Sequence, residues 1–250
     1  MRHFAELAAG LLAGAIASVV ASGTLAGGHG TRVAPKAIVE LFTSQGCSSC
    51  VKADAYFANL AERPDVVALS FHVDYWDYLG WRDTLSDPAN TERQRSYAAV
   101  HGTRRVYTPQ MILNGRTDYV GSDRDVIDNA IARSALPVPV SMRRGDGTVE
   151  IEVMGAPVPH QWPATIRLVL LTSETEVAIG RGENAGTTID YYNVVRAMRP
   201  VGMWDGDTVK ITLPERELMG NGVDACAIIV QEDRPDGPGA IIGAALLGNW

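Results

Sequence analysis

Cys47 and Cys50 are separated only by Ser48 and Ser49. This C-x-x-C spacing lets two sulfurs exchange a disulfide with another molecule or share a soft metal ion. Its position adds meaning. The apolar, β-favouring run Ala37–Phe42 precedes it, and from Cys47 to Ala61 the residues Val51, Ala55, Tyr56 and Leu60 recur at helical spacing. A cysteine at a helix N-terminus meets unpaired N–H donors and a partial positive potential, which favour thiolate over thiol. Cys47 is therefore the expected nucleophile. Cys50, one turn on, would resolve a mixed disulfide by closing the bond back to Cys47. Three chemistries stay open for the pair: redox exchange, a static bridge, and metal binding. A bridge over two intervening residues closes almost no loop and gains little stability. Zinc would need further ligands, and His72, His101 and His160 are scattered, whereas soft Cu(I) needs fewer.

Further residues bear on the same site. Thr108-Pro109 stands just before the strand-like Gln110–Leu113, and an X-Pro bond is the one peptide that a fold holds in cis at modest cost. In a thioredoxin-like arrangement that proline packs beside the cysteines and the Thr108 backbone can pair with an extended partner. His72 and Asp74 share one face at the end of a predicted strand, where either could accept a proton from Cys50 or serve as a structural polar group. Tyr75, Trp76, Tyr78 and Trp81 read as a peptide groove or as the core of an insertion. Cys226 reads as a small buried hydrophobe. Arg181–Gly186 has the composition of a turn, with a loop folding over the cysteines as its functional alternative.

The elements that must position these residues follow from periodicity. Ala37–Phe42, the helix after Cys47 and Val66–Val73 form a βαβ unit, which implies parallel strands with the chemistry at their carboxyl ends. A helical insertion over Asp87–Val100 follows. Gln110–Leu113 and Thr117–Val120 make a hairpin across Asn114-Gly115, and Ser122 with Asp125 resembles a capping box opening a helix through Ser134. Beyond the proline-rich stretch Ala135–Pro139 the helical signals fade. Short strands are expected at Val149–Met154, Thr165–Thr172, Tyr191–Met198, Thr208–Leu213, Ala225–Gln231 and Ala240–Leu247.

Composition bounds the rest. The 250 residues are 46% hydrophobic with 22 basic and 29 acidic side chains, a net charge of −7. No basic block offsets that balance locally, so nucleic acid is not an expected partner. Three cysteines cannot make a disulfide scaffold. Arg2 and His3 precede an apolar run from Leu7 to Ala21 with small residues after it, which reads as an export signal over residues 1–26, cleaved near Ala26, with an uncleaved anchor as its alternative. The expected mature protein is periplasmic or secreted, away from the membrane, where disulfides persist.

The segments Val39–Cys50, Ser70–Asp77 with Gly80-Trp81, Thr91–Gln94, Tyr107–Met111 and Gly121–Asp123, and later Arg181–Gly186, Asn193–Arg196 and Trp204–Gly206, are similar to a secreted thioredoxin-like bacterial family called domain of unknown function 1223. Where the family pattern has proline after the second cysteine, this chain has Val51-Lys52. The resemblance implies a fold and a redox-type site but no substrate. The expected architecture is α/β, a thioredoxin-like domain with a helical insertion over 37–135, followed by an all-β, sandwich-like domain over 140–250. The expected activity is that of an exported thiol–disulfide oxidoreductase or redox sensor. Its site would comprise Cys47, Cys50, Thr108, Pro109, Asp74 and His72, with a redox-active disulfide in place of a cofactor and protein thiols or disulfides as partners. The alternative is a non-catalytic module that holds Cu, Zn or a partner on the same two cysteines.

Overall fold

The strands Ala37–Thr43 (β1) and Val66–His72 (β2) are buried along their whole length, which is why their sequences lack the polar alternation of a half-exposed strand. They pair in parallel, Ala37 opposite Val66 and Thr43 opposite His72. The crossover helix Val51–Ala61 (α1) joins them. This computed structural model describes residues 34–103, 105–157, 163–218, 220 and 222–248; the export signal expected over 1–26 lies outside them. Among the described residues no helix is long and apolar enough to cross a membrane.

On its other side β1 pairs antiparallel with Gln110–Leu113 (β3), which returns as Thr117–Val120 (β4). Asn114 and Gly115 turn the hairpin with φ of 52° and 64°, the two left-handed positions that a type I′ turn requires. Helix α1 and Arg124–Ala132 (α3) cover one face of this sheet. Tyr56, Phe57, Leu60, Ile127 and Ile131 pack there against Val39, Leu41 and Met111. The capping box expected at Ser122 does not form: Asp123 occupies the N-cap without a side-chain bond, and the helix ends at Ala132. Ile127, Ala130 and Ile131 turn inward on this helix, while Val126 is exposed.

Helix Pro88–Val100 (α2) covers the opposite face. Asp87 caps it by accepting the Ala89 N–H at 2.8 Å, and Pro88 takes the first helical position. Its buried side carries Asn90, Thr91, Gln94 and Tyr97, so polar bonds hold it as much as apolar packing does. The wholly buried Glu40 of β1 receives Arg93 Nε at 2.7 Å and the Tyr97 hydroxyl at 2.5 Å. Arg93 also reaches Tyr97 Oη and Gln231 Oε1, each at 3.0 Å. A buried charge so compensated anchors the helix to the sheet.

The second half is built of strands Val140–Gly145 (β5), Thr148–Val153 (β6), Ala164–Ala178 (β7), Thr188–Trp204 (β8), Val209–Pro214 (β9), Ala225–Arg234 (β10) and Gly237–Leu247 (β11). β5 was not among the expected strands: it is largely exposed and carries two arginines, so it presents no apolar run. β5, β6 and β9 form a small sheet facing β7, β10 and β11 around Trp204. The divide expected between 37–135 and 140–250 does not interrupt the larger sheet. Its order is β11-β10-β7-β8-β2-β1-β3-β4, and the seam is a parallel contact between Ser70 of β2 and Val194 of β8. The result is a mixed α/β protein dominated by one eight-stranded sheet. Cys226 lies in the core of β10, fully buried and unpaired, its thiol pushed up to about 12 by desolvation.

Candidate functional site

β1 ends at Thr43, and the chain makes a tight turn before α1. The Cys47 N–H bonds to Ser44 O and the Cys50 N–H to Cys47 O, both at 3.1 Å. Cys50, not Cys47, is the N-cap of α1, so the first sulfur stands one turn ahead of the helix rather than in its opening turn. Gly46 is required by close approach: a Cβ there would lie 3.2 Å from Trp76 Cβ.

Cys47 and Cys50 form a disulfide. The Thr108–Pro109 bond is cis, and the Thr108 hydroxyl donates to Cys47 Sγ at 3.2 Å. That hydroxyl is itself aimed, because it accepts the Trp76 indole N–H at 2.8 Å. The Ser49 hydroxyl lies 3.3 Å from the same sulfur and, with Cys47 already bridged, is the group that donates. Two hydroxyl donors thus converge on the sulfur that would bear negative charge on reduction.

The sulfurs are not open to solvent. Cys47 is 1% exposed and Cys50 0%, although Ser48 and Ser49 between them are exposed. The β7–β8 connection lies across this turn. Asn184, itself buried, donates from Nδ2 to Gln45 O at 2.9 Å and to Cys47 O at 3.2 Å. Glu183 accepts the Ser48 hydroxyl at 2.7 Å and its N–H at 3.3 Å. Gly182, at φ 80°, sits so close to Trp81 that a Cβ would stand 3.1 Å from the tryptophan Cβ. The segment Arg181–Gly186, whose composition reads as a turn, therefore folds over the cysteine turn.

A second buried layer lies on the α1 side. Asp54, one helical turn past Cys50, donates its N–H to Cys50 O at 2.9 Å and accepts the Thr43 hydroxyl on Oδ1 at 2.7 Å. Burial pushes its carboxyl up to about 7, opposed by the Thr43 hydroxyl and by His72 and reinforced by the nearby Asp83. His72 faces Asp83 across 2.8 Å from Nδ1, both side chains fully buried. Asp83 also accepts the backbone N–H groups of Gln45 and Leu85, each at 2.8 Å. Burial acts to raise the Asp83 pKa, but His72 and these donors outweigh it and hold it below the usual range. The His72 ring meets Tyr191 edge-on with centroids 4.6 Å apart. Among the described residues Asp54 Oδ2, His72 Nε2 and Tyr191 Oη find no hydrogen-bond partner though all are buried, an uncommon concentration of unsatisfied groups in one cluster.

Of the residues singled out by sequence, the structure thus brings together Cys47, Cys50, Thr108 and Pro109. It separates His72 from Asp74. β2 ends at His72, and Asp74 turns to the opposite side, where it accepts the Thr91 hydroxyl at 2.6 Å. The aromatic run divides as well: Trp81 donates to Gln45 Oε1 at 2.8 Å and Tyr75 to Gln94 Oε1 at 3.1 Å, whereas Tyr78 is 79% exposed. Asp54, Asp83, Tyr191 and Asn184 were not singled out as site residues. Asp54 left one readable trace, since it lies on the helix face shared by Cys50 and Phe57. Among the described residues no group of three or more His, Cys, Asp and Glu is placed to hold a metal ion.

Residues 38–231 match the family described as protein of unknown function (DUF1223). The chain belongs to that family. No curated protein matches it. Among solved structures, a crystal structure of an Agrobacterium tumefaciens protein is 37% identical, with a TM-score of 0.75 over 86% of this chain and 94% of that one. HBP35 of Porphyromonas gingivalis is 12% identical, with a TM-score of 0.61 over 87% of this chain and 76% of its own, a likeness of fold alone. The DUF1223 match ends within β10, so it spans both halves of the large sheet and includes the loop over the cysteines.

Proposed function

We propose that this DUF1223 protein is a thiol–disulfide exchange protein, working outside the cytoplasm on protein thiols or disulfides through a thioredoxin-like first half. The reading rests on one observation above others: the Thr108 hydroxyl, held by Trp76, donates to the sulfur of the bridge-forming Cys47. In the oxidising direction a partner thiolate attacks Cys47 Sγ, the Cys47–Cys50 bond breaks, and Cys50 leaves as a thiolate. The partner's second thiolate then attacks its own bridged sulfur and releases Cys47. Two electrons pass from the partner dithiol to the pair, and the partner's two protons go to the cysteines or to bases beside them. The reducing direction is the reverse. To Asp54, one helical turn past Cys50 and with its carboxyl pushed up to about 7, we assign the proton exchange with the Cys50 sulfur.

The burial of Cys47 favours a second reading, a static bridge. Against it stands the short loop, which gains little stability from closure, while the loop 181–186 adds cover by binding the cysteine turn through Asn184 and Glu183. Exchange then requires that loop to lift.

Cys50→Ser tests the proposal. Treated with glutathione disulfide, the variant should retain glutathione on Cys47, while reduced wild-type protein passes through the same adduct and closes its own bridge. Equal retention by both, or reaction by neither, contradicts exchange.

A further inference from the structure

On the α2 face, away from the disulfide, a cleft of about 560 Å³ opens where β8 parts from β2. That volume lies within the range of small-molecule sites. The cleft exists because of irregularities in β8. Leu170 pairs with Ala197 and Leu171 with Val195, leaving Arg196 as an extra, bulged residue. A second register shift falls beside Arg167, where Ile166 pairs with Gly202 and Arg167 with Pro200. A bulge breaks the two-residue alternation and re-aims a side chain. Here the consecutive residues Val195, Arg196, Ala197 and Met198 all line the cleft, together with Phe71.

The charges divide unevenly. The carboxylates at the cleft are committed: Asp233 to Arg167 at 2.6 Å and to the Thr165 hydroxyl, Asp87 to the start of α2, and Glu92 to Arg95 at 3.8 Å. Arg93, over the Phe71 ring, is taken up by Glu40. Arg196 has no ion pair among the described residues, and Arg167 Nε is buried with no acceptor. A buried donor without an acceptor marks a place where a ligand or water oxygen belongs. We infer that this cleft binds a small organic carboxylate, its apolar body on Phe71, Val195 and Met198 and its charge on Arg196 and Arg167. The site is independent of the cysteine chemistry.

The test compares 4-phenylbutanoate with its uncharged amide, 4-phenylbutanamide, by two-dimensional NMR titration of the oxidised protein. The carboxylate should shift the resonances of Phe71, Val195 and Met198 and bind about tenfold more tightly than the amide, as expected for a charge-assisted contact. Arg196→Gln, a change at an exposed side chain, should close most of that gap without altering the rest of the spectrum. Arg167→Gln also removes the Asp233 pair and serves as a second variant if folded. Equal affinity for acid and amide, shifts elsewhere, or no shifts at millimolar ligand would overturn the inference.

Discussion

Asp54→Asn should make the oxidised protein more stable at pH 8, by on the order of 4 kcal/mol, and flatten its stability between pH 4 and 8. In the fold the Asp54 carboxyl holds its proton up to about pH 7, whereas in the unfolded chain it releases it near 3.8. Between those values the folded state binds more protons than the unfolded one, so stability falls as pH rises from about 4 through 7 and then levels off. Asparagine keeps an oxygen for the Thr43 hydroxyl and never ionises. The two proteins should therefore have similar stability near pH 4 and diverge toward pH 8. Asp83 does not blur this window: its pKa is lowered, so its contribution is lost only as pH falls below the ordinary carboxylate range. Urea unfolding at several pH values checks the effect. Parallel curves for the two proteins would show that Asp54 does not carry a buried proton.

Asn184→Ala should speed reduction of the Cys47–Cys50 bridge by a small thiol roughly thirtyfold, since it removes two hydrogen bonds of about 1 kcal/mol each that hold the loop down. Reduction of a covered disulfide proceeds through the small fraction of molecules in which the cover is open, so weakening the closed state raises the rate in proportion. Global stability should fall by about the same 2 kcal/mol, because loop opening and unfolding both start from the closed state that these bonds stabilise. Stopped-flow reduction with dithiothreitol, monitored by alkylation, measures it. An unchanged rate would place the barrier elsewhere.

What could be read from the sequence was what local periodicity and turn chemistry control. β1, α1, β2 and the Asn114-Gly115 hairpin were legible because each is a short apolar run or a turn with one dominant conformation. The cysteine pair and Thr108-Pro109 were legible as motifs. Asp54, Asp83 and Tyr191 were not, because a buried polar residue carries the same letter as an exposed one and its role depends on partners far along the chain. Asn184 meets the Cys47 carbonyl across 137 positions. The continuity of the sheet through Ser70 and Val194 was hidden for the same reason: one register contact between distant strands leaves no local trace. Asp74 misled because alternation placed it on the His72 face, whereas β2 had already ended.

The most direct measurement is an equilibrium titration of Cys47 and Cys50 in glutathione or dithiothreitol buffers, with free thiols counted by alkylation and intact mass. Exchange chemistry requires a single two-electron transition within the span of biological thiol couples, roughly −300 to −120 mV, with Cys226 unlabelled until the protein unfolds. A bridge that stays closed throughout that span, and opens only on denaturation, would contradict it.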